Sequence, residues 1–211
     1  MSSARNLVDN MRRDLAQYVR LYPRPSATHS PDTLRVILSS PGLLVVLTYR
    51  LRSWLFRDCE NIGMRVLGVV FGKVCSLMWI IFMKIQIAGR PEIGPGLYLS
   101  SKGYIILGAT KLGAGCVIQD RVSIGMDKDR GRPEVGDNVM IGPDTVIYGN
   151  VKVGNGSVIL GGTVLGKSVP DHSLVGGKPG RILRRNVDYE EYIGELASIG
   201  RARRGPGNRC R

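Results

Sequence analysis

Residues 135–165 read VGDNVMIGPDTVIYGNVKVGNGSVILGGTVL, and an aliphatic side chain returns there every sixth position, at Val135, Ile141, Ile147, Val153, Ile159 and Leu165. Four positions after each anchor stands a small or β-branched residue: Val139, Thr145, Val151, Ser157, Thr163 and Val169. Glycine often follows the anchor directly, as at Gly136, Gly142, Gly154 and Gly166. An α-helix does not explain this spacing, because positions six apart fall about 240° round a helix and share no face. A flat strand would place its large apolar residues at every second position. Six residues suffice for one short strand and one corner, with the anchor and the fourth residue after it turned inward and glycine relieving the corner. The pattern therefore predicts a parallel β-helix with three faces per turn.

The same period extends towards the N-terminus through Ile87, Ile93, Leu99, Ile106, Leu112, Ile118 and Ile124, with Cys116 and Val122 as small inward partners. Two intervals break it, from Leu99 to Ile106 and from Ile124 to Val135, and both read as insertions at corners. Thirteen hexads make slightly more than four turns, a prism roughly 20 Å long at the spacing of neighbouring strands. The fold class is mainly β: a β-helix over 87–183 with an inserted loop at 125–134. An α-helical region, 1–86, precedes it, and a short helix with a basic tail, 184–211, follows.

In the N-terminal region, residues 5–22 place Leu7, Val8, Met11, Leu15, Tyr18 and Val19 on one helical stripe, and Tyr22-Pro23-Arg24-Pro25 ends that helix. A second helical stretch is expected over 31–57, interrupted near Pro41-Gly42, and a third over 61–84. Residues 67–83 of the third contain one charge, Lys73. Seventeen residues fall short of the ~20 that span a bilayer. Three readings stand open: a helix buried in an oligomer, peripheral attachment to a membrane aided by the basic N-terminal half, and a transmembrane span.

The chain has 211 residues, 28 of them glycine, and only 6% aromatic residues. Such a composition suits a fold of tight corners and small core side chains. The net charge of +13 lies on the flanks, since residues 91–180 hold nine basic against eight acidic residues. The tail arginines, Arg201, Arg203, Arg204, Arg209 and Arg211, have no aromatic residue among them, which disfavours nucleic-acid binding. Cys59, Cys75, Cys116 and Cys210 show no zinc-ligand spacing beside two histidines, so no metal site is expected and the thiols are expected to be reduced. The N-terminus shows no signal-peptide pattern, and a cytoplasmic location, with membrane-peripheral contact as an option, is expected.

The hexads, the loop after Ile124 and the stretch VPDHSLVGGKPGRIL at 169–183 together resemble the hexapeptide-repeat acyltransferases with a left-handed β-helix. The likeness is greatest to their serine acetyltransferase and polysaccharide O-acetyltransferase branch. The lead-in segments MRRDLAQYVRLYPRPSA and SPGLLVVLTYRLRSWL are similar to that branch as well, so the resemblance covers about residues 10–185. It implies a homotrimer with acetyl-CoA, or another acyl-CoA, lying as co-substrate in the groove between adjacent prisms. It further implies Gly142, Asp144, Gly161, Gly162, Lys178 and Arg181 as CoA-side residues, with Lys178 and Arg181 as charge-assisted donors to the nucleotide phosphates. The glycines have an equally good structural reading as corner residues.

In that family a histidine acts as general base. The matching stretch here is Leu99-Ser100-Ser101-Lys102-Gly103, so the catalytic position falls on Ser100 or Ser101. A second family histidine and a substrate-binding arginine correspond to Arg132 and Gly131, and Asp127 and Arg132 are the acceptor-side candidates. The replacements disfavour serine as acceptor. The expected activity is O-acyl transfer from acetyl-CoA to a hydroxyl, on a sugar or glycan precursor, with a non-catalytic trimeric scaffold that still binds CoA as the alternative. His172 reads as a surface residue of the loop after the repeats, His29 as part of a polar linker, Asp127 and Asp129 foremost as solvated loop carboxylates, and Cys116 as core.

Overall fold

The structure, a computed structural model, describes residues 2–21, 40–57, 61–89, 91–100, 104–125 and 131–202. The repeats close into a parallel β-helix with three faces. Face A stacks β1 (Ile85–Ile87), β4 (Ile105–Leu107), β7 (Ser123–Ile124), β10 (Val146–Ile147) and β13 (Val164–Leu165). Face B stacks β2 (Glu92–Ile93), β5 (Lys111–Leu112), β8 (Glu134–Val135) and β11 (Lys152–Val153). Face C stacks β3 (Tyr98–Leu99), β6 (Val117–Ile118), β9 (Met140–Ile141), β12 (Val158–Ile159) and β14 (Ser173–Gly176), and β15 (Arg181–Arg185) closes it as the antiparallel partner of β14.

The anchors meet in register, for example Leu99 on Ile118 on Ile141 on Ile159 on Val175. Leu112, Ile118, Ile124, Val135, Ile141, Ile147, Val153, Ile159 and Leu165 are buried, as are the small inward partners Cys116, Val122, Val139, Thr145, Val151, Ser157, Thr163 and Val169. One anchor differs from the sequence reading. Ile106 points outward and is half-buried, and Leu107 takes the stacked place between Ile87 and Ile124. The reason lies in the run Ile105-Ile106-Leu107: β4 has three residues, so both its ends point inward and its middle outward, which the sixfold count does not distinguish.

The three outer surfaces differ. Face B carries alternating charges in register, Glu92, Lys111, Glu134 and Lys152, with Lys152 Nζ 3.4 Å from Glu134 Oε2. Face C is covered, because Leu21, Tyr189 and Ile193 bury Val117 and pack on Tyr98 and Met140. Face A presents the uncharged, half-buried residues Ile106, Ser123, Val146 and Val164.

Three helices cap the N-terminal end of the coil: α1 (Ser2–Leu21), α2 (Pro41–Arg57) and α3 (Ile62–Met83). The expected second helix starts at Pro41, where proline's missing amide donor is harmless in a first turn; residues 31–39 lie outside the described residues. Helix α1 docks through Asp14, whose Oδ1 accepts from the Gly96 and Leu97 amides at 2.7 and 2.9 Å. Arg50 of α2 pairs with Asp14 at 2.9 Å and donates to the Ile93 and Gly94 carbonyls, so this buried pair is fully bonded. The Tyr18 hydroxyl bonds both the amide and the carbonyl of Leu99, each at 2.9 Å. Helix α3 lies on α2, with Gly68 against Leu55 and Gly72 against Arg52, and then runs into β1. Its other side is exposed. After β15, α4 (Tyr189–Ala202) folds back along face C, with the Tyr189 hydroxyl donating to Gly115 O at 2.6 Å.

Candidate functional site along one corner of the prism

The corners between face C and face A form a column of irregular backbone along the prism. From the N-terminal end it contains Ser100, then Asp120-Arg121, Gly142-Pro143-Asp144, Leu160-Gly161-Gly162 and Gly177-Lys178-Pro179-Gly180. The levels are stitched together by backbone bonds: Asp144 N to Asp120 O at 3.0 Å, Gly162 N to Pro143 O at 2.7 Å, and Val164 N to Gly177 O at 3.1 Å. Arg121, Asp144 and Gly162 turn the chain here with φ of 56°, 59° and 73°. Six CoA-side candidates lie on this edge or, for Arg181, at its C-terminal end in β15. Ser100 lies on the same edge at the opposite end.

The glycines on the edge do different things. A β-carbon at Gly142 would lie 2.5 Å from the Gly161 amide nitrogen, so Gly142 is needed for the two corners to stack. A β-carbon at Gly161 would press on Pro143 at 3.1 Å. At Gly162 a β-carbon would meet nothing within 4 Å, so this glycine borders open space and lets a ligand approach backbone.

Asp144 is held by Arg121, with Nε to Oδ1 at 2.5 Å and Nη2 to Oδ2 at 2.6 Å. The Arg121 guanidinium is the largest influence holding the exposed Asp144 carboxyl below its usual range, and Lys178 lowers it further. Asp144 is thus a paired carboxylate, unsuited to take a proton at neutral pH. Arg121 was not among the sequence candidates; its corner position three residues after the coil strand β6 was the available signal. Lys178 and Arg181 are exposed. Beside them Leu160, Leu183 and Gly176 form a small apolar shelf, since a β-carbon on Gly176 would lie 2.9 Å from Leu183 Cδ1 and 3.3 Å from Leu160 Cδ1. The sequence reading did not pick out Leu160 and Leu183, which are apolar yet outward-facing.

Ser100 is half-buried, and its amide donates to Ile118 O at 2.9 Å. Ser101, Asp127, Asp129 and His29 lie outside the described residues. Arg132 stands on the corner between faces A and B, its guanidinium over Gly89. Within one chain it is therefore not brought to Ser100, which occupies the other side of face A. His172 sits on the third corner, between faces B and C, exposed and with φ of 52°. Cys116 is fully buried, and burial pushes its thiol up to about 12, which rules out a thiolate nucleophile at neutral pH. Among the described residues no group of three or more His, Cys, Asp or Glu side chains could hold a metal ion.

Residues 132–167 match the family model described as bacterial transferase hexapeptide, six repeats. These residues of the coil are bacterial transferase hexapeptide repeats. Serine acetyltransferase 4 of Arabidopsis thaliana is 30% identical over 70% of this chain and 40% of its own length. The serine acetyltransferase of Staphylococcus aureus strain Mu50 is 28% identical over 74% of the chain and 71% of its own length. The hexapeptide chain thus spans less than half of the plant relative and about seven tenths of the bacterial one. A solved serine acetyltransferase in complex with CoA superposes with a TM-score of 0.66 at 23% identity, covering 86% of this chain and 71% of that one. That likeness shows the fold: a hexapeptide β-helix preceded by helices.

Proposed function

We propose that this hexapeptide-repeat protein is a CoA-dependent O-acyltransferase that works as a cytoplasmic homotrimer and moves an acetyl group from acetyl-CoA to a hydroxyl acceptor. The observation that carries the reading is the C–A corner, where the stacked glycines, open space at Gly162, the apolar shelf and two exposed cations follow one another along one edge. Lys178 and Arg181 would meet the nucleotide phosphates. The pantetheine arm would lie past Leu160 and Gly162 towards the Ser100 end, three turns or roughly 14 Å away. Serine acetyltransferases among the relatives support CoA as the donor.

The three outer surfaces support the trimer. Face C is already covered, and face B is an ion ladder suited to water; face A is uncharged and suited to a second prism. A neighbour seated there would bring its own A–B corner, with Arg132, towards the C–A edge of the first chain, and Asp127 stays an acceptor-side candidate with it. The acceptor hydroxyl oxygen attacks the thioester carbonyl, the C–S bond breaks, and the hydroxyl proton passes to the departing thiolate. That route needs no histidine at Ser100 or Ser101. A sugar or glycan-precursor hydroxyl is the acceptor of choice, with serine disfavoured because Gly131 and Arg132 replace the family pair. The basic N-terminal half adds a peripheral membrane contact.

The serines at the expected base position favour a second reading, a trimeric scaffold that binds CoA without turning it over. Release of free CoA thiol from acetyl-CoA, followed with sugar hydroxyls and with serine as acceptors, separates the two. Thiol release on a sugar establishes the transferase. CoA binding with no release on any acceptor establishes the scaffold, and absence of binding removes both.

A further inference from the structure

Helix α3 is 22 residues long, about 33 Å at 1.5 Å per residue, and contains no acidic residue. One side is committed to α2: Gly68 and Gly72 are buried there, Trp79 Nε1 donates to Thr48 Oγ1 at 3.0 Å, and Trp79 and Met83 reach the coil core. The opposite side carries Val66, Leu67, Val70, Val74, Leu77, Met78 and Ile81, exposed by 49–67%. This continuous apolar stripe is far more than the scattered apolar side chains of an ordinary soluble surface. By helix geometry Lys73 lies about 80° from the centre of that stripe, on its flank rather than in its middle.

We infer that the outer face of α3 lies in the surface of an anionic lipid bilayer, with the coil standing off in water. Three observations choose this occupant. The helix is covered along one whole side by α2, so lipid can reach only the other side, which suits a helix lying in the interface and not one crossing it. The charged side chains within α2 and α3 are all basic, namely Arg50, Arg52, Arg57, Arg65 and Lys73, with Lys84 next after α3. Arg50 is taken up by Asp14, Arg52 packs on Gly72, and Arg65 donates to Phe56 O; the exposed Lys73 on the flank and Lys84 at the end of α3 are left to extend their ammonium groups to anionic headgroups. The acidic residues of the connection, Asp58 and Glu60, lie outside the described residues. A second copy seated on the stripe about a two-fold axis would instead set the same basic flank against itself. The inference rests on α3 alone and stands whether or not the chain transfers acyl groups. It also gives the corner site a place: a transferase held this way meets hydroxyl acceptors carried on lipid.

The test uses the full chain with vesicles of phosphatidylglycerol and phosphatidylcholine in equal parts, compared with phosphatidylcholine alone. Wild-type protein is expected to co-float with the anionic vesicles, and Val70→Asp with Leu77→Asp is expected to weaken partition at least tenfold while leaving oligomer size by light scattering unchanged. Lys73→Glu should lower the preference for anionic vesicles, roughly fivefold for each basic residue lost. As an independent readout, tryptophan introduced by Val74→Trp should be quenched by brominated acyl chains. Partition of the double variant equal to wild type, or an unquenched tryptophan at position 74, overturns the inference. A wild-type oligomer that the double variant dissociates, with vesicle binding unchanged, overturns it in favour of a second copy.

Discussion

The coil and helix α3 draw on the same aliphatic residues and place them oppositely. Ile118, Ile124, Ile141, Ile147 and Ile159 are fully buried, whereas Val66, Val70, Val74, Leu77 and Ile81 are more than half exposed. In the coil each anchor finds its partner one turn away in the same chain, so the repeat completes its own core. In α3 only the side with Gly68, Gly72, Trp79 and Met83 is matched by the chain, and the aliphatic side chains of the other side point to something outside it. Hydrophobicity alone says that a residue seeks cover; the period of the pattern says whether the chain itself provides that cover.

Stability measurements can break this comparison. The largest effect is expected where helices α1 and α2 are joined to the coil. Arg50→Ala leaves Asp14 buried and unpaired, and chemical denaturation should show a loss of about 3–5 kcal/mol. Within the coil, Ile141→Ala should cost about 2–5 kcal/mol through lost burial and a cavity. On α3, Leu77→Ala should stay within about 0.5 kcal/mol in lipid-free solution. A cost at Leu77 equal to that at Ile141 would mean that the stripe is buried in the folded protein.

Tyr18 sharpens the comparison through pH. Desolvation pushes its phenol well above the usual value, against the opposing bond with Leu99. Its neutral form is thus favoured by folding, so its contribution is whole below about pH 10 and is lost as pH rises through the higher folded value. The melting temperature should fall at alkaline pH, and Tyr18→Phe should flatten the fall. The smallest signal is chemical: Cys116 should resist an aromatic disulfide reagent at pH 8 in the native protein and react on denaturation. Rapid native labelling would contradict the packed coil.

Much of the architecture was legible because a sixfold repeat leaves few alternatives. The inward residues and the corner glycines could be placed from spacing alone, except where three aliphatic residues in a row hid the switch from Ile106 to Leu107. The site was less legible for a physical reason. Gly142, Gly161 and Gly162 are alike in the sequence, yet one is needed for stacking, one tolerates little, and one faces open space. Asp144 read as a CoA-side carboxylate, but its state is set by Arg121 from the turn below. Pairings of this kind join residues 23 apart through the pitch of the coil, and no local pattern announces them. Arg132 and Ser100 lie on opposite corners of face A, so whether they share a site depends on a second chain.

The central claim is that the C–A corner receives CoA, and calorimetric titration of CoA into the full chain tests it most directly. The account predicts saturable binding that Lys178→Glu weakens at least tenfold while the melting temperature holds. No heat of binding, or equal affinity in the variant, would contradict it.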